Sequence, residues 1–193
     1  GYNGMGDSTA SMGSDFGDYD RDGHFDLFVS DNSIGSLYRN EGDGIFTDTI
    51  VESGIAMRSA QYVGWGSFFF DFDNDGDLDI FKANSDLSRL FGQEDQIFRN
   101  DGKGRFQDIS ASAGDYFEQT LLGRGAAYGD YDNDSDLDVL ISNIDGEAVL
   151  LRNDGGNRKN WLVLQLQGRP SNRDGVGARV RVRVGDTRLT AYR

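Results

Sequence analysis

A chain of 193 residues with 37% hydrophobic and 12% aromatic side chains has enough apolar material for one or two folded domains, which excludes a disordered polymer. Its 33 acidic residues outnumber 19 basic ones, and the formal charge of −14 excludes nucleic acid or an anionic membrane as the main partner, leaving a cation as the natural counterpart. The absence of cysteine excludes disulfide frameworks, thiolate metal sites and cysteine nucleophiles.

The charge is unevenly spread. Residues 152–193 carry ten basic residues against three acids, leaving −21 on residues 1–151, so two different modules are expected to meet near residue 155. No apolar run reaches the roughly 18 residues needed to span a bilayer. Gly1 falls inside a pattern, so the chain is read as a mature or truncated form.

In chain order, the first distinctive segment is GDYDRDGHFDLFVSD from Gly17. It returns as FDFDNDGDLDIFKAN from Phe70 and GDYDNDSDLDVLISN from Gly129, the first aspartates Asp18, Asp71 and Asp130 lying 53 and 59 residues apart. A repeat of this length is the mark of arrays and propellers, in which one small sheet cannot bury its own faces. Between the copies a second phrase recurs: LYRNEGDGIFTD from Leu37, IFRNDGKGRFQD from Ile97 and a shortened LLRNDGG from Leu150. Apolar residues flank its Gly-rich centre, which reads as a β-hairpin, and Asn40, Asn100 and Asn153 fit turn positions.

Each Asp-rich loop leads into a β-prone run (Phe25 to Ser30, Leu78 to Ala83, Leu137 to Ser142) and follows a Gly-rich aromatic stretch. The unit is therefore strand, loop, strand, hairpin, strand. Trp65 and Phe68 to Phe70 are expected in the core of such a unit rather than on a glycan-binding platform, and the same is expected of Trp161. After Asn160 the texture changes. Trp161 to Gln167 and Ala178 to Val184 alternate apolar with polar residues, three valines opposing Arg179, Arg181 and Arg183, as in half-buried antiparallel strands. The expectation is an all-β chain: β-propeller-type blades over 1–155, about three repeats of a larger or partner-completed propeller, and the start of a small C-terminal β-sandwich over 156–193.

The repeated loop has the form D-x-D-x-D-G-x-x-D. It is complete in Asp18, Asp20, Asp22 and Asp26, and in Asp71, Asp73, Asp75 and Asp79; the third copy keeps Asp130, Asp132, Asp134 and Asp138 but has Ser135 where glycine is expected. Carboxylates at places 1, 3, 5 and 9 converge only if the backbone curls, and a residue free to adopt positive φ at place 6 makes that turn cheap. Place 7, occupied by His24, Asp77 and Asp136, would present its backbone carbonyl. Four carboxylates, a carbonyl and a water suit Ca²⁺ better than the strict octahedron of Mg²⁺, so about three calcium ions are expected, one per loop. An EF-hand also begins in this way, but it needs an acid at place 12, where this chain has Val29, Lys82 and Ile141.

Loops with the acid at place 9 between strands resemble FG-GAP or VCBS repeats. The resemblance covers most of residues 13–155 and implies blades like those of integrin α-subunits, with Ca²⁺ bound by the residues named above. The tail from Arg152, through the SNRDGVGARV phrase at Ser171 to Val180, resembles the opening of an ASPIC/UnbV-type domain. The function implied is a secreted or cell-surface calcium-binding module for protein or glycan ligands, with structural Ca²⁺ and no enzymatic activity. Two alternatives compete with it: a self-assembling surface protein that closes its ring with partner blades, the arginine face attracting acidic repeats, and a calcium-dependent polysaccharide-active enzyme. His24, the only histidine, is expected to direct its ring to solvent, which leaves no Ser-His-Asp arrangement. The single N-x-S/T sequence, Asn133-Asp134-Ser135, lies inside the third loop, where a glycan would compete with the metal.

Overall fold

The computed structural model describes residues 6, 8–86, 88–169 and 172–192. Gly1, Ser171 and Arg193, which enter the sequence reading, lie outside the described residues. Three antiparallel sheets follow one another. The first contains β1 (Ser14–Gly17), β2 (Asp26–Val29), β3 (Ser36–Gly42) and β4 (Ile45–Asp48), paired in chain order. A short helix, α1 (Ile55–Ser59), leads to the second sheet of β5 (Gly64–Phe70), β6 (Asp79–Asp86), β8 (Gln96–Asn100) and β9 (Phe106–Asp108), with β7 (Phe91–Gly92) pairing the end of β6. The third has β10 (Gly123–Gly129), β11 (Asp138–Asn143) and β12 (Val149–Leu151).

Each sheet is a meander in which the Asp-rich loop joins the first two strands, and in the first two sheets the Gly-rich hairpin joins the last two. The third copy stops at three strands among the described residues. Its shortened phrase runs into a 3₁₀ turn at Gly156–Arg158 instead of a hairpin. The architecture is all-β, and its repeated meanders are those of β-propeller blades.

The core lies between the sheets, as the two-residue period of strand side chains requires. Phe69, Ile80, Phe98 and Phe106 point from the second sheet toward the first, where they join Tyr19, Phe28, Leu37 and Ile55. The intervening residues Phe68, Phe70, Phe81, Ala83 and Ile97 point the other way and pack with Val139 and Ile141 of the third sheet. Phe68 stacks on Phe81 with ring centroids 5.4 Å apart. The aromatic run is therefore blade core, as expected. Trp65 is half-buried with the Arg124 guanidinium 3.3 Å above its ring.

The first strands of successive sheets sit closest. The Phe69 N–H donates to Asp15 Oδ2 at 2.9 Å, and a Cβ on Gly66 would stand 2.5 Å from the Ala126 nitrogen, so that crossing admits only glycine. Lys82, at place 12, is a buried core residue whose Nζ donates to Ser59 Oγ.

Beyond residue 158 the strand expectations hold only in part. Ala178 to Val184 does form a strand, β13 (Arg179–Val184), paired with β14 (Thr187–Tyr192). Trp161 to Gln167 forms none: Trp161, Leu162 and Val163 are exposed, and no pairing strand faces them among the described residues. Trp161 is thus not blade core. Alternation alone does not make a strand when there is no neighbour to accept its hydrogen bonds.

Candidate metal centres

The three loops share one backbone path. Places 4 and 6 both take the left-handed conformation: Arg21 and Gly23, Asn74 and Gly76, Asn133 and Ser135. Ser135, at φ 78°, accepts a conformation that disfavours any Cβ. The curl closes on the place-1 carboxylate, which accepts backbone N–H groups from inside the turn. Gly23 N–H reaches Asp18; Asp75 and Gly76 N–H reach Asp71; Asp134 and Ser135 N–H reach Asp130. The place-5 carboxylates cap the following turn, with Asp22, Asp75 and Asp134 accepting from the place-7 N–H of His24, Asp77 and Asp136.

Place 9 has a second duty that the sequence did not reveal. Asp26, Asp79 and Asp138 each accept two backbone N–H groups, one from place 2 of the same loop (Tyr19, Phe72, Tyr131) and one from the third strand or just past its end (Asn40 and Asn100 in the strand, Asn153 two residues beyond it). The loop is thereby stitched to its own sheet. Each asparagine is a turn residue, as expected, its Oδ1 accepting from Gly42, Gly102 or Gly155. Its amide also donates into the metal loops: Asn40 to Phe25 O, Asn100 to Leu78 O and Tyr19 O, Asn153 to Leu137 O and Phe72 O. The available signal was the invariance of asparagine where Asp or Gly serves a turn equally well.

In each loop three carboxylates have an oxygen within 4.8 Å of the others: Asp18, Asp20 and Asp22; Asp71, Asp73 and Asp79; Asp130, Asp132 and Asp138. Three of the four expected side chains therefore converge in each copy, with Asp26, Asp75 and Asp134 outside these groups. Of the place-7 residues, His24 is exposed and its ring Nδ1 lies 3.2 Å from Asp22 Oδ2. Asp77 is buried and ion-paired to Arg21 of the first loop, while Asp136 is buried with neither oxygen hydrogen-bonded.

Such clusters are costly without a cation. Burial is the leading cause that pushes the Asp26 carboxyl up to about 7, Asp79 to about 8, Asp71 to about 6 and Asp136 to about 6; neighbouring aspartates add to it. Asp18 and Asp20 are raised as well, again chiefly by burial. A cation of the chain itself stands at the second loop, where Lys159 Nζ lies 3.1 Å from Asp73 Oδ1 and 3.5 Å from Asp75 Oδ2. The hard, all-oxygen donor set and the buried negative charge fit Ca²⁺.

Repeated antiparallel meanders with an Asp-rich loop between the first two strands define a class of repeat protein, and sequence comparison gives its name. A family model described as FG-GAP-like repeat matches residues 18–82 and 71–141, and the chain belongs to that family. Among curated proteins it is 33% identical over 121 residues to cartilage acidic protein 1 of Xenopus tropicalis, an alignment covering 62% of this chain and 17% of the relative. To cartilage acidic protein 1 of Mus musculus it is 30% identical over 164 residues, covering 84% of this chain and 23% of the relative. The chain thus spans about a fifth of the length of these relatives.

Proposed function

We propose that this chain is a calcium-stabilised repeat module of an extracellular, adhesion-type protein, in which Ca²⁺ is structural and the blade surface binds a protein or glycan ligand. The observation that carries the reading is that a three-carboxylate cluster, always including places 1 and 3, forms in the same loop of three successive sheets. Asp18, Asp20, Asp22 and Asp26 would hold one ion, Asp71, Asp73, Asp75 and Asp79 the next, and Asp130, Asp132, Asp134 and Asp138 the third. The carbonyls of His24, Asp77 and Asp136 would complete the shells. A bound ion neutralises charge that burial otherwise penalises, and extracellular calcium near the millimolar range fills sites of modest affinity. No helix among the described residues is long and apolar enough to cross a membrane.

The same reading divides the chain into repeats over 1–155 and a separate β module beginning at 156. Self-assembly is a second reading with its own support. The faces that the first and third sheets turn away from the second carry exposed apolar residues, Phe16 on one and the cross-strand pair Leu140 and Leu150 on the other. Further blades, from this protein or a partner, would cover them.

Calorimetric titration of chelator-treated protein with Ca²⁺ and then Mg²⁺, alongside thermal melting, tests the central claim. About three calcium ions with a calcium-selective rise in Tm are expected. An equal response to both ions, or none, would refute it. Solution mass with and without calcium separates adhesion module from assembly, and turnover on a polysaccharide panel would overturn the non-enzymatic reading.

A further inference from the structure

The three loops are joined to one another in series by links that recur with the repeat. The place-4 side chain of one loop donates to the place-6 carbonyl of the next: Arg21 Nε to Gly76 O at 3.2 Å, and Asn74 Nδ2 to Ser135 O at 3.1 Å. A return link runs the other way. Asn100, whose N–H holds Asp79 of the second loop, donates its amide to Tyr19 O of the first at 2.9 Å. Asn153, whose N–H holds Asp138 of the third loop, likewise donates to Phe72 O of the second at 2.6 Å. Arg21 adds a charge to the first junction through its ion pair with Asp77. None of these linking side chains is a carboxylate of the clusters.

We propose that the loops bind their ions cooperatively, place-4 and hairpin-asparagine links carrying the order imposed by one ion to the neighbouring loop. The proposal rests on the metal reading above and adds to it a dependence between sites. The physical argument is one of ordering. An ion that gathers places 1, 3, 5 and 9 fixes the whole loop, including the place-2 and place-6 carbonyls that the neighbours' side chains use as acceptors. The adjoining loop then meets a fixed partner and loses less conformational freedom when its own ion arrives. Linkage makes the effect reciprocal, and couplings of this kind typically change affinity by about 5- to 150-fold.

The wiring predicts a specific asymmetry. Asn74→Gly deletes one of the two links between the second and third loops while keeping the positive φ of 52° that glycine adopts freely, and it leaves both links to the first loop in place.

The test follows the backbone amide signals of Gly23, Gly76 and Ser135, one reporter per loop, through a calcium titration of the isotopically labelled full chain. In an Asp71→Asn background, where the second loop is disabled, the midpoints of the first and third loops should move to about tenfold higher calcium. Adding Asn74→Gly should shrink that shift at the third loop and leave it intact at the first. Asp73→Asn, which removes charge without removing a backbone acceptor, takes the place of Asp71→Asn if the latter melts at the working temperature. Midpoints indifferent to the state of the second loop, or a third-loop shift untouched by Asn74→Gly, would overturn the coupling while the ion count still upheld the metal sites. A wild-type chain that binds no calcium at any reporter would instead refute the metal reading itself.

Discussion

The second sheet and the C-terminal hairpin are both antiparallel and meet opposite fates. In β6 every residue from Asp79 to Ser85 is buried, because one neighbouring sheet covers each face. In β13 the arginines and Val184 are exposed and Val180 and Val182 are only half-buried, because the hairpin is a sheet of two strands that meets the metal loops at its edge, through Arg179 at Gly23 O and Leu189 beside Gly76, and has no second sheet paired to it among the described residues. What separates them is the availability of a repeat on either side. A blade derives its stability from its neighbours, as in any stacked array.

One substitution in each region is the sharpest way to break this contrast. Phe81 is fully buried and in ring contact with Phe68 and Phe117, so Phe81→Ala should cost about 3–5 kcal/mol by chemical denaturation. Val184→Ala in the hairpin should stay within about 0.5 kcal/mol. Comparable losses at the two positions would mean that the hairpin is packed as a blade is.

The same contrast explains what was readable in advance. The loops, the hairpins and the sheet count were legible because short-range rules fix them: acids at alternate places, residues tolerant of positive φ, and two-residue alternation. The links between loops were not, since Asn100 to Tyr19 O and Arg21 to Gly76 O join residues 81 and 55 positions apart and nothing local encodes them. The reading of Trp161 to Gln167 as a strand failed for a related reason. Its pattern is right, but a strand is a property of a pair.

Proton sensitivity should also divide the two regions, because the acids raised by burial all belong to the repeats. Asp79, Asp26 and Asp71 have folded-state values of about 8, 7 and 6 against roughly 3.9 in an unfolded chain, so the folded protein holds more protons across this interval. Metal-free protein should therefore lose stability as the pH rises from 5 to 7. Above pH 7, Lys82 acts with the opposite sign: burial lowers its value to about 7, and deprotonation then favours the fold. Calcium, which needs the ionised carboxylates, should stabilise more at pH 7 than at pH 5. Melting curves with chelator and with calcium at the two pH values would show the gap widening; a metal-free Tm that climbs from 5 to 7 would contradict the buried-acid picture.

Within the repeats the second and third loops differ at place 6, Gly76 against Ser135, both with positive φ. Ser135→Gly should stabilise the third loop by roughly 0.5–1 kcal/mol, the relief of a strained Cβ exceeding the entropy that glycine adds to the unfolded chain. Gly76→Ser should cost the second loop a similar amount. Thermal melting in chelator isolates the backbone effect from metal binding, and a destabilising Ser135→Gly would show that the serine side chain supports the third loop.

The smallest effect concerns Lys159, whose ammonium ties the basic tail to the acidic rim at the second loop. Lys159 is half-exposed and flexible, so its pairing with Asp73 and Asp75 is worth no more than about 1 kcal/mol, and salt weakens it further. Its ammonium nevertheless faces two carboxylates that an ion in the second loop would engage, and the two cations repel. Lys159→Gln should raise calcium affinity at the second loop by a few-fold at low salt, move the first and third loops less and only through their coupling to the second, and lose its effect near 1 M salt. Affinity that falls on substitution would make Lys159 a support of the loop instead of a competitor, and the tail would then belong to the metal rim rather than stand apart from it.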